Sequence, residues 1–484
     1  MLISLQQKAV AIVFCCSILL TASGADVISI WGGARGTIVL KSDGTVWTWG
    51  ANIGGKLGIN DAATNRALVP VEVHGPGNVD YLHSVSAIMG GEVHNVAVKS
   101  DGTVWTWGFN FQGGLGDGTT NDSALPIQAG LLSVPPLTNI ISLGGRTYFN
   151  LAVKTDGTIW AWGMGTFGQI GNGGNTNCLT PVQVLTSQPG GAVNAPRQVS
   201  CGYTYGVALL TNGTVWTWGT GVHGELGAGA TTTSFTPVQV SALSNVTAIS
   251  SGWKHTLALK NDGTVWAWGF NSHGELGDGT SNNQFTPVRV LNVSNIVAIS
   301  GGDYNSIALR NDGTVWKWGV NDVGELGFGT NDNTLAGVAN DSVVHAFPAQ
   351  VMQDRFGNGF SNVVRVANRD YHNIAVKADG SVWMWGANDQ GQCGDGTTND
   401  LYRPSPVISL GARTPLPLFL QTNAAPGLVD LKWNTATGQY FAIEYSTNPI
   451  TGFSGAQSNI LATPPANTFT FPVTNQSLYF RLRF

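Results

Sequence analysis

The chain has 484 residues, 11% of them charged, 65 of them glycine, with a formal net charge of −5. So few charges, with no basic run, exclude a nucleic-acid footprint or an anionic-membrane patch, both of which need clustered Lys and Arg. A hydrophobic share of 42% excludes a disordered chain, and five cysteines without a Cys-x-x-Cys pair exclude a zinc ribbon.

In chain order, the first segment reads as a secretion signal spanning 1–25. Lys8 supplies a weak positive start, residues 9–20 an apolar run, and Thr21-Ala22-Ser23-Gly24-Ala25 a small-residue cleavage site before Asp26. The run is short for a membrane span, which takes about 20 apolar residues. The expected location is therefore secreted or extracytoplasmic, in a periplasm or at a cell surface, with no membrane span after signal removal. Cys15 and Cys16 leave with the signal, and Cys178, Cys201 and Cys393 cannot all pair within one chain.

From residue 26 a pattern recurs seven times. Its first copy is Asp43-Gly44-Thr45-Val46-Trp47-Thr48-Trp49-Gly50, and the closing glycines are Gly50, Gly108, Gly163, Gly219, Gly269, Gly319 and Gly386. A repeat at intervals of 50 to 67 residues signals stacked units or a propeller. Asp-Gly between two strand-like runs predicts a hairpin, because Gly takes the positive φ the turn needs. The fourth copy has Asn212-Gly213, and Asn tolerates the same turn. Both tryptophans of Val-Trp-x-Trp point to one face of a strand, which suits packing between neighbouring sheets.

Each Trp-Gly is followed by a loop ending in Gly-x-Leu-Gly or a variant, as at Gly224-Glu225-Leu226-Gly227. Then come a Pro-Val-x-Val run, as at 237–240, and an Ile/Val-x-x-Ile-x-x-Gly run, as at 246–252. One period thus holds about four short strands, the content of a propeller blade. The chain enters in mid-period at Val27 and leaves after Leu410. This predicts ring closure with N- and C-terminal strands sharing a blade.

These residues resemble the regulator of chromosome condensation repeat family over about 27–410. The match is the series Gly-x-x-His-x-x-Ala-Leu/Val-Lys, Asp-Gly-Thr-Val, Trp-Gly-x-Asn, Gly-x-Leu-Gly-x-Gly and Pro-x-x-Val. The resemblance implies an all-β, seven-bladed β-propeller. It leaves function open, because the family includes nuclear exchange factors for a small GTPase, ubiquitin-ligase modules and secreted bacterial proteins. The His position of the motif holds His94, His255 and His372, but Gly36, Phe149, Tyr205 and Asn305 in the other copies. A secretion signal sits badly with an exchange factor, so no exchange-factor residue is carried over.

The repeat region spans 26–410, and the remainder, 411–484, begins with the linker-like Thr414-Pro415-Leu416-Pro417. Its strand-like runs, with Leu431-Lys432-Trp433 followed by Tyr440-Phe441-Ala442-Ile443-Glu444-Tyr445, resemble a small fibronectin type III-like β-sandwich.

No nucleophile elbow, phosphate loop or His-Glu-x-x-His is present. No catalytic residue, cofactor or metal ligand is assigned. His94, His255 and His372 are expected to make separate hydrogen bonds in their own blades, and Asp-Gly-Thr to form turns instead of calcium loops.

The loops after Trp-Gly vary most and should share one face. They offer Ile53, Phe111 and Phe167 on one arc, and His223, Glu225, His273, Glu275 and Glu325 on an acidic arc. These residues are the expected contact set for a protein or glycan ligand, on a monomer without catalysis of its own. Two other functions stay open: an exchange-type regulator by family analogy, and a polysaccharide-active enzyme using carboxylates such as Glu225 and Glu275 across the ring.

Overall fold

In the computed structural model, side chains are described for 26–408, apart from 62, 132–135, 186–194 and 333–343. Over 419–483 it describes the backbone of six strands. Among the described residues no helix is long and apolar enough to cross a membrane.

Each repeat forms one four-stranded antiparallel sheet, and there are seven. Blade 1 runs Val27–Gly33, Gly36–Lys41, Val46–Ala51, Arg66–Glu72. Blades 2 to 7 begin at Val85–Gly90, Ile140–Gly145, Pro196–Cys201, Val246–Ser251, Ile296–Gly301 and Val363–Arg369. The first strand of every blade packs against the first strands of both neighbours, all the way round, so these strands line the axis. The hairpin between second and third strands is built as expected. In blade 1, Thr45 donates through its amide and hydroxyl to Asp43 Oδ1, at 3.0 and 2.7 Å, and Gly44 has φ 80°. Asn212 accepts the same two bonds from Thr214.

The two tryptophans of each strand have different duties. The second, from Trp49 to Trp385, is fully buried in all seven blades. Its indole N–H donates to the carbonyl of the x residue in the preceding blade's Gly-x-Leu-Gly loop, at 2.8 to 3.0 Å. The first lies nearer the edge, where a Lys or Arg covers its ring in six blades, as Lys41 Nζ does 4.5 Å from the centre of Trp47.

Closure differs from the expected shared blade. Blade 1 uses only strands from 27–72 and blade 7 only strands from 363–406. Counting periods from Trp-Gly made the chain enter in mid-period. Counted from the axial strand, it enters at the first strand of one blade and leaves at the fourth of another. The ring shuts by packing face to face. Val27, Ile30, Val39 and Trp49 share a core with Ile374, Val376, Met384 and Cys393, and Trp49 donates to Gln392 O at 2.8 Å.

Residues 25–412 form one compact unit, and 413–484 fall outside it. The backbone of the latter forms two three-stranded antiparallel sheets. One joins Phe419–Thr422, Leu428–Trp433 and Asn467–Pro472; the other joins Gly455–Leu461, Tyr440–Ser446 and Tyr479–Arg483. Cys178, Cys201 and Cys393 are free thiols, the last two buried.

Candidate binding face at the channel mouth

The turn joining first to second strand and the loop after Trp-Gly lie at the same end of every blade. In blade 1, Gly36 pairs with Gly50. Gly50 sits at φ 93°, where an added Cβ would lie 2.4 Å from Arg35 O, so turn and loop are pressed together. Because the first strands line the axis, their turns deliver side chains to the mouth of the central channel.

At that mouth, side chains from four blades meet. The Arg146 guanidinium (blade 3) is fully buried. Its Nε donates to Glu92 Oε1 (blade 2) at 3.2 Å, and its Nη2 to Asp303 Oδ1 (blade 6). Asp370 (blade 7) completes a carboxyl trio whose oxygens lie within 4.8 Å of one another. Arg369 reaches across the ring to Gly145 O at 2.6 Å. Lys56, buried beneath, donates to Glu92 O at 2.8 Å.

Burial opposes the charge on Arg146, but Asp303 and Glu92 outweigh it and raise its pKa. Burial, reinforced by Asp303 and Glu92, drives the Asp370 carboxyl well above the ordinary carboxylate range. Burial lowers Lys56 to about 8 against the pull of Asp370.

Around this polar floor stands an arc of rings. Trp253 faces Tyr304 at 5.0 Å, Tyr203 at 5.8 Å and Phe270 at 6.3 Å. Tyr304 continues to Tyr371, and Phe109 links Phe111 to Tyr148. Lys254 Nζ lies 4.0 Å from the centre of Trp253. Most of these rings are half-buried, a disposition that supplies contact area at little cost in side-chain entropy.

Residues 72–416 match the RCC1-like domain model, and 43–98 match the regulator of chromosome condensation (RCC1) repeat. The chain belongs to the RCC1-like family. It is 32% identical over 221 residues to the ultraviolet-B receptor UVR8 of Arabidopsis thaliana, covering 46% of this chain and 47% of that one. It is 30% identical over 223 residues to the E3 ubiquitin-protein ligase HERC2 of Homo sapiens, covering 46% of this chain and 4% of that one. The chain thus spans less than half the length of either relative. Among solved structures, Prp20p of Saccharomyces cerevisiae superposes with a TM-score of 0.65 at 22% identity, covering 79% of this chain and 90% of that one. Human WBSCR16 gives 0.62 at 20%, covering 78% and 95%. At such identities the likeness shows the fold.

On this RCC1-like propeller, Ile53, Phe111 and Phe167 are exposed, with Phe111 the most open at 65%. The expected acidic arc is corrected. Glu225, Glu275 and Glu325 are fully buried. Each folds back to accept the backbone N–H two residues earlier, at 2.7 to 2.8 Å. Gln169 and Gln392 do the same in blades 3 and 7, at 2.9 and 2.8 Å, so the position is a loop cap. Glu225 and Glu275 also sit on neighbouring blades and do not face each other across the ring, which removes them as a carboxylate pair. His223 and His273 are half-buried and join the arc of rings through Phe270 and Tyr304.

His94, His255 and His372 each bond to the next blade, at Asn150, Ser306 and Thr37, at 2.7, 3.0 and 3.2 Å. Sequence reasoning passed over Glu92, Arg146, Trp253, Asp303, Tyr304 and Asp370. A signal existed: all but Arg146 occupy the two x positions of Gly-x-x-His, which differ from copy to copy inside a repeat that is otherwise uniform, and Arg146 stands where five of the seven copies have the Gly.

Proposed function

We propose that this RCC1-like propeller is a binding scaffold that docks a protein partner on the face carrying the channel mouth, and that it works outside the cytoplasm. The observation that carries this is two groups of packed rings, Phe111–Phe109–Tyr148 and Tyr203–Trp253–Tyr304–Tyr371, on the face whose loops vary most. Tyr, Trp and Phe at the centre of such a surface anchor interfaces, where loss of one commonly costs 2 kcal/mol or more. The family supports protein binding as the coarse role: the Prp20p structure is described with its binding to Gsp1p and histones. The extracytoplasmic setting rests on the signal-like 1–25, outside the described residues. The C-terminal sheets, as a fibronectin type III-like module, would position the propeller. No catalytic role is assigned, and the scaffold acts as a monomer.

Two measurements test this. N-terminal sequencing after cell fractionation should find a chain outside the cytoplasm beginning near Asp26; an intact cytosolic chain would favour an exchange-type regulator. Phe111→Ala with Phe167→Ala should weaken partner capture at least tenfold with an unchanged melting temperature. Val79→Ala, in the connection that follows an outer strand, should not. Unchanged capture by the double variant removes this face.

A further inference from the structure

The channel mouth has the chemistry of a small-ligand site, which goes beyond the scaffold function because it requires no protein partner. Its walls and floor differ in exposure. Tyr371 at the rim is 38% exposed. Trp253, Tyr203 and Tyr304 are half-buried. The side chains of Glu92 and Asp303 retain 14 and 16% exposure, whereas Arg146 at the base has none. The floor is therefore polar, recessed and open at the top.

Its hydrogen bonding is incomplete within the protein. Arg146 Nη1, Arg369 Nε and Asp370 Oδ1 are buried and have no protein partner. Each such group costs stability unless something satisfies it. A ligand must bring acceptors to the two guanidinium groups and meet a carboxyl oxygen as well.

Charge decides among ligands. Three carboxyl oxygens within 4.8 Å would suit a cation, but the Arg146 guanidinium already lies among them and bonds two of the three groups. An incoming cation meets Arg146, Arg369 and Lys254; an incoming anion meets Glu92 and Asp303. Hydroxyl groups donate and accept, and suit both sets. The rings add shape. Tyr203, Tyr304 and Phe270 pack directly on Trp253, with centroids at 5.8, 5.0 and 6.3 Å and planes at 53°, 62° and 86°, so together they form one aromatic wall. The negative faces of such rings attract C–H bonds as well as cations. Lys254 holds the cation position over Trp253 on a flexible stem that can swing into water.

A compact, uncharged ring with hydroxyls at its edge and C–H bonds on its faces meets all of these conditions. We propose that the channel mouth binds a neutral pyranose, with Arg146 and Asp370 holding hydroxyls at the floor and the aromatic wall of Trp253 and Tyr304 packing on one face.

The test is saturation-transfer NMR and calorimetry on the full mature protein with the methyl pyranosides of glucose, galactose and mannose. Methyl glucuronide and glucosamine serve as charged counterparts. At least one neutral glycoside should bind, and more tightly than both charged sugars. Trp253→Leu and Tyr304→Leu should each weaken it by about tenfold or more, and Asp370→Asn should change which glycoside is preferred. Arg146 is left intact because its loss threatens folding, and the two ring variants carry the test if Asp370→Asn does not fold. The proposal falls if no neutral pyranoside binds, if a charged sugar binds tighter, or if folded Trp253→Leu and Tyr304→Leu proteins bind as well as the parent. Partner capture that survives in a protein blind to sugars would leave the scaffold function standing while this one fails.

Discussion

Glu325 shows how one repeat position can be a loop cap in five blades and a liability in one. Its carboxylate accepts Val323 N–H at 2.8 Å, and its Oε1 is buried without a protein partner. Burial raises its pKa to about 7, with Lys317 the nearby charge that opposes the shift. An acid whose folded pKa lies above its unfolded value loses stability as pH rises through the folded value. Glu325 therefore costs nothing near pH 4 and its full amount above about pH 7, up to roughly 3 kcal/mol by linkage. Gln caps the same loop in blades 3 and 7 without that charge. Glu325→Gln should raise the melting temperature at pH 8 and leave it nearly unchanged at pH 4.5. An equal shift at both pH values would mean the carboxyl does not titrate in this range.

The three buried histidines act in the opposite sense. Burial lowers His94 to about 4 and His255 and His372 to about 3. A histidine whose folded pKa is depressed holds its stability above pH 6.5 and loses it as pH falls toward the folded value. Each contributes about 2 kcal/mol of destabilisation by pH 4.5. His255→Gln should move the acid-unfolding midpoint to lower pH while costing little at pH 7. A midpoint that stays put would show that other groups set acid unfolding.

At the scale of the strand, Val-Trp-x-Trp sets a sharper contrast. Trp218 is fully buried and bonds Gln169 O of the preceding blade at 2.8 Å. Trp216, two residues earlier, is 5% exposed, but its indole N–H has no protein partner. Trp218→Phe leaves a carbonyl unpaired and a gap between sheets, a loss of about 3 kcal/mol. Trp216→Phe removes an unsatisfied donor along with its volume and should cost about 1 kcal/mol or less. Urea unfolding of the two variants reads the difference directly; equal losses would deny the inter-blade bond its role.

This strand was fully legible in the sequence, because period-two alternation and the Asp-Gly turn are local signals. The channel floor was not. Glu92, Arg146, Asp303 and Asp370 are far apart along the chain and meet only because seven axial strands converge. The acids of the Gly-x-Leu-Gly loops misled for a related reason. A Glu in a glycine-rich loop looks solvated until the loop curls tightly enough for its own N–H groups to claim the carboxylate.

For the whole molecule, the manner of closure determines what can be removed. A propeller whose last blade borrows a strand from the other terminus is locked by backbone hydrogen bonds. Here the seam between blades 7 and 1 is a side-chain interface, closed by the Val27, Ile30 and Trp49 cluster and by the bond from Trp49 to Gln392. It is built like the six other seams, each of which carries the same Trp-to-carbonyl bond. All seven blades are complete by Pro406, and the fourth strand of blade 7 pairs only with the third. A chain ending after Ile408 should therefore unfold cooperatively with a melting temperature within a few degrees of the parent. A chain beginning at Gly36 should not. It lacks Val27–Gly33, which leaves the second strand of blade 1 as an open edge at the axis and takes Val27 and Ile30 out of the seam. Thermal unfolding by circular dichroism on the two truncations decides the matter. Loss of cooperativity in the chain ending at Ile408 would show that residues beyond it complete the ring, as a shared blade requires.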